Sequence, residues 1–95
     1  MIERITKNEE RLDIISLNIK KLEEALYEFK SNKKDLYLLN KYYGSKNWFK
    51  DKKSYEDEKI PRIKAGVLSE DAVWNLNEDI DDIIKVMKSI IKEYK

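Results

Sequence analysis

Ile5, Leu12, Ile19 and Leu26 recur every seven residues, and Ile15, Leu22, Phe29, Leu36 and Tyr43 form a second seven-residue series interleaved with the first. Steps of three and four place both series on one stripe of an α-helix. The spacing predicts a helix over about residues 2–43, with Gly44 in the place of a C-cap. Ser31-Asn32 is a weak spot, yet the second series passes through it without changing phase. Such a helix would be about 63 Å long at 1.5 Å per residue, too long for a small globule unless something packs along it.

A second stripe runs through Val73, Leu76, Ile80, Ile83, Met87, Ile90 and Tyr94, which predicts a helix over about residues 70–94. Ser69 suits its N-cap, Glu70 and Asp71 put negative charge in its first turn, and Leu68 and Val73 have the spacing of a hydrophobic staple. Lys85, Lys88, Lys92 and Lys95 lie toward its C-terminal end, where the helix dipole favours them. At about 38 Å this helix covers only part of the first. The mismatch gives residues 45–69 a job as a helical cap. Ser45 can cap a short helix over about 46–57, Pro61 suits the start of a further turn, and Gly66 its end. Leu36, Tyr37, Leu38, Leu39, Tyr42 and Tyr43 spread round nearly the whole circumference of the first helix, as expected of a helix end buried on all sides. Tyr42 and Tyr43 end this helix, Gly44-Ser45 turns the chain, and Trp48 and Phe49 are expected to fold back as packing. The expected fold is all-α, one domain over residues 1–95. A long N-terminal helix packs antiparallel against the C-terminal helix as a coiled-coil-like hairpin, with the short helical cap between them.

Composition agrees with long amphipathic helices. Of the 95 residues, 41 % are charged and 41 % hydrophobic, with two glycines and one proline. There is no histidine and no cysteine, which removes the commonest general base, a thiolate nucleophile, a disulfide framework and a structural zinc site. Gly44 and Gly66 stand alone and make no phosphate loop. No signal peptide or membrane-spanning apolar run is visible. The expectation is a cytoplasmic protein without a cofactor, and not an enzyme.

The stretches "YYGSKNWFKD" (42–51) and "IPRIKAGVLSEDAVWNL" (60–76) resemble the signature of a family of small bacterial proteins catalogued as domain of unknown function 4298. In that family too, a long charged helix precedes a Tyr-Tyr-Gly-Ser corner, and a Gly-Val-Leu-Ser-Glu-Asp stretch leads into the last helix. The resemblance implies the architecture and brings no activity, catalytic residue or cofactor.

Four features have the chemistry of a site. Residues 30–64 carry eleven Lys/Arg against five Asp/Glu, while the whole chain is at +1. Lys46, Lys50, Lys52 and Lys53 alternate with Trp48, Phe49 and Tyr55, a pattern able to hold single-stranded nucleic acid through phosphate contact and stacking. The bland alternative is that these lysines are solvated or face the acidic start of the last helix. Glu78, Asp79, Asp81 and Asp82 in "NEDIDD" could gather a hard cation, but they also fill a polar helix face, and the spacing fits no calcium loop. Trp74 lies roughly 150° from the centre of its helix's stripe, so the 58–69 segment is expected to wrap over it; left bare, it would suit a partner's hot spot. Lastly, the seven-residue repeat can pair within one chain or between two copies as a homodimer. The leading functional expectation is a protein-interaction module whose cap binds a partner through Trp48, Lys50, Lys52, Lys53, Tyr55 and Trp74. Weak single-stranded nucleic-acid binding by the cap is the alternative, and a pocket under it using Tyr42, Tyr43 or Glu56 as acid or base is a third reading.

Overall fold

The computed structural model describes residues 1–94; Lys95, the last of the C-terminal lysines, lies outside the described residues. The chain is all-α, with α1 over Ile2–Ser31, α2 over Lys33–Tyr42, α3 over Lys46–Glu56 and α4 over Ala72–Glu93. No strand occurs among the described residues. Two compact units are present, Met1–Leu36 and Tyr37–Lys95.

The helix expected over 2–43 is interrupted at Asn32. The Ser31 hydroxyl donates to the Glu28 carbonyl at 2.7 Å, and the Asn32 N–H is shared between the carbonyls of Glu28 and Phe29, each at 3.2 Å. A serine that hydrogen-bonds back along its helix loosens the ladder and bends it. Asn32 keeps right-handed angles (φ −80°, ψ −3°), and the Leu36 N–H returns to its carbonyl at 2.9 Å. The interruption is therefore a single residue. Within the first unit α1 buries nothing: each of its side chains is exposed.

The second unit is built around a small core. Trp48 of α3, Leu68 of a 3₁₀ turn over Gly66–Leu68, and Val73 of α4 are its buried residues. The Ser45 hydroxyl accepts the Trp48 N–H at 3.2 Å and caps α3. The Ser69 hydroxyl accepts the Ala72 N–H at 3.1 Å, although α4 itself starts three residues later than Ser69. The turn expected from Pro61 to Gly66 is displaced: residues 59–65 are irregular, and Gly66 opens the 3₁₀ turn. The apolar end of α2 is covered on one side only. Leu39, Tyr42 and Tyr43 are half-buried, whereas Tyr37 and Leu38 are 64 % and 50 % exposed. The cap is too small to surround the helix, so the expected burial on all sides does not occur.

Two left-handed residues shape this unit. Gly44 (φ +77°) ends α2 and lets the Ser45 N–H reach the Tyr42 carbonyl at 3.0 Å. Glu58 (φ +58°) ends α3, with the Lys59 N–H on the Ser54 carbonyl at 2.9 Å and the Glu58 N–H on the Tyr55 carbonyl at 3.2 Å. That pair of bonds is a Schellman motif with a glutamate where glycine is favoured. Opposite outcomes are expected at the two sites. Gly44→Ala meets no neighbour within 4 Å, so its cost is conformational, about 1–2 kcal/mol. Glu58→Gly relieves the same penalty and should stabilise by about 1 kcal/mol, read from urea midpoints at unchanged slope.

Candidate functional site

α3 has two faces. Trp48, Lys52 and Tyr55, at steps of four and three, point inward. Trp48 is 4 % exposed. Its indole N–H donates to the Val67 carbonyl at 2.9 Å, and its ring meets Tyr43 edge-on at 5.3 Å and Phe49 edge-on at 4.9 Å. Trp48 is thus the support of the surface and not part of it, which corrects its place among the partner contacts. Lys52 is held as well. Its ammonium lies 5.2 Å from the Trp48 ring centroid and 3.1 Å from Glu70 Oε1, as the bland alternative requires for this lysine. Tyr55 is half-buried; its hydroxyl donates to the Ile63 carbonyl at 3.3 Å, and the Arg62 guanidinium stacks 5.1 Å from its ring centre.

The opposite face of α3 carries Lys46, Phe49, Lys50 and Lys53, all exposed. Phe49, expected to fold back as packing, is 61 % exposed. The helical period explains it: a residue adjacent to inward-facing Trp48 is turned 100° away, and reading the 48–52–55 face first would have shown this. Lys53 pairs with Asp57 at 3.4 Å, a surface contact worth about 0–1 kcal/mol. Among the described residues, Lys46 and Lys50 join no ion pair.

Trp74 is 60 % exposed, so the expected cover over it is absent. The segment leading into α4 places Leu68 on the core side with Val73, and Trp74 is turned away from that side by one residue's rotation. The carboxylates of residues 78–82 do not converge either. No group of three His, Cys, Asp or Glu side chains among the described residues can hold a metal ion. No described helix is long and apolar enough to cross a membrane.

Three polar contacts tie the unit together. Asn40 and Asn77 exchange side-chain amide hydrogen bonds at 2.8 and 3.2 Å. The Tyr43 hydroxyl donates to the Glu70 carbonyl. The Tyr42 hydroxyl donates to Asp51 Oδ2 at 2.7 Å, a pair that the sequence pattern did not signal because its members sit on different helices. Burial, the hydrogen bond and the Asp51 charge, in that order, push the Tyr42 phenol up to about 12.

A phenol raised on folding contributes stability that is complete below its unfolded value near 10 and is lost as pH rises toward about 12. Tyr42 should therefore ionise late in a titration followed at 295 nm, and Tyr42→Phe should abolish that late step. The two tryptophans give a second check. Trp74→Phe is expected to remove most of the iodide-quenchable emission and leave a blue-shifted Trp48 signal; quenching of Trp48 as efficient as that of free indole would contradict its burial.

No curated protein and no solved structure matches the chain. The model of the family described as Domain of unknown function (DUF4298) matches residues 5–90. That span takes in the first helical stripe, the second as far as Ile90, the Tyr-Tyr-Gly-Ser corner and the Gly-Val-Leu-Ser-Glu-Asp stretch, and the chain belongs to this family.

Proposed function

We propose that this protein is a non-enzymatic interaction module of the bacterial cytoplasm that binds a protein partner through the surface of its second unit. Trp74 carries the reading. A large aromatic at 60 % exposure costs solubility where it stands, and tryptophan is the residue type most enriched at binding hot spots. Phe49, exposed between Lys46, Lys50 and Lys53, adds a second aromatic in a basic setting and favours a partner with acidic groups around an apolar centre. The non-enzymatic part rests on the missing histidine and cysteine and on the Tyr42 and Tyr43 hydroxyls, both of which are occupied by hydrogen bonds.

The Lys46–Phe49–Lys50–Lys53 face also supports a second reading, weak binding of single-stranded nucleic acid by stacking and phosphate contact. Affinity capture from a host extract with the full chain tests both. A captured protein should fall by at least tenfold with Trp74→Ala, since a hot spot is worth about 2 kcal/mol or more, and fall less with Lys50→Ala. Capture unchanged by both substitutions would sink the protein-partner reading. Oligonucleotide retention at low salt that fades as salt rises would move the assignment to nucleic acid.

A further inference from the structure

The apolar stripe of α1 points to a second copy of this chain. Ile5, Leu12, Ile19 and Leu26, with Ile15, Leu22 and Phe29, are between 39 % and 60 % exposed, and no residue of α1 is buried. A strict seven-residue repeat of this kind is the seam of a left-handed coiled coil, whose occupant is another helix.

The edges of the stripe choose the occupant and its direction. Ile2, Glu9, Ser16, Glu23 and Lys30 line one edge; Arg4, Arg11, Asn18 and Ala25 line the other. In a parallel pair Arg4 stands opposite Glu9 of the second copy, and no like charges face each other across the seam. An antiparallel pair in full overlap sets Glu9 of each helix toward Glu23 of the other, and it leaves Arg4 and Arg11 opposite uncharged residues. Asn8 is the one polar seam position between Ile5 and Phe29. Facing its counterpart, it is the kind of layer that fixes register. Two such stripes present on the order of 1,000 Å² together, the threshold for a specific interface. We propose that the protein is a homodimer in which α1 pairs in parallel with α1 of the second copy.

Sedimentation equilibrium of the full chain tests this without reference to the partner surface of the other unit. The wild-type chain should sediment as a dimer. Ile15→Lys, in the seam, should raise the dimer Kd roughly 100-fold, while Leu17→Lys, on the opposite and equally exposed face, should leave it unchanged. Because the chain has no cysteine, Leu12→Cys introduces a single thiol that should oxidise to a disulfide-linked dimer much faster than Leu17→Cys. A monomeric wild-type chain, equal dissociation by the two lysine variants, or no preference for the Leu12→Cys cross-link would each overturn the proposal. The cross-link decides the matter even if Ile15→Lys unravels α1.

Discussion

One indole sets the order of the second unit. Trp48 has to be inside for α3, the 3₁₀ turn and α4 to share a core, because that core otherwise consists of Leu68 and Val73. Burying it also requires a partner for its N–H, since an unpaired buried donor costs about 1–3 kcal/mol. Val67 supplies that partner through its carbonyl, and this fixes the position of the turn that delivers Leu68. The same placement brings Lys52 over the ring and against Glu70, and it sends Phe49 to the outer face. The surface of the cap follows from what its centre demands.

The first unit is under the opposite constraint. A helix of 30 residues with nothing buried has only its own hydrogen bonds and side-chain pairs to set against the entropy of ordering. Nucleation is costly, and most helix stability in proteins comes from packing an apolar face. Local contacts such as the Asn8 amide on the Arg4 carbonyl and Arg11 on Asn8 are exposed and individually small. Seven large apolar side chains spaced for a helical mate are therefore an unspent source of stability. A chain of this size, which buries a modest share of its surface when folded alone, has reason to use them.

Helix identity was legible in the residues and helix limits were less so. The stripes mark α1 and α4 because the helical period holds over many residues. Ser45 and Gly44 could be read from capping chemistry, whereas Glu70 and Asp71, expected in the first turn of α4, precede it. The interruption at Asn32 was visible only as a weak spot, since the seven-residue phase crosses it; what breaks the helix is a hydroxyl turned back on Glu28, a rotamer choice that periodicity does not record. Glu58 at a left-handed position carries no sequence signal at all, because the residue type argues against it. At the candidate site, Lys50 stands free as the pattern suggested, whereas Trp48, expected both as packing at the corner and as a partner contact, is a core residue. Trp74 went the other way. Its angle on the helix was readable, but whether a loop would cover it depended on which side the irregular segment took.

The electrostatics of the cap show that a sequence-level charge count is only partly committed on folding. The excess of lysine and arginine between residues 30 and 64 is unevenly committed: Lys52 is spent on Glu70 and the Trp48 ring, Lys53 on Asp57, and Arg62 on Glu58 and Tyr55. What remains on the outer face of α3 is the pair Lys46 and Lys50 beside one exposed phenylalanine. Two ammonium groups give a modest and salt-sensitive attraction, too little to hold a polyanion tightly. In the proposed interaction, these two charges would serve to orient a partner beside an apolar anchor, so that aromatic burial leads and charge selects among candidates.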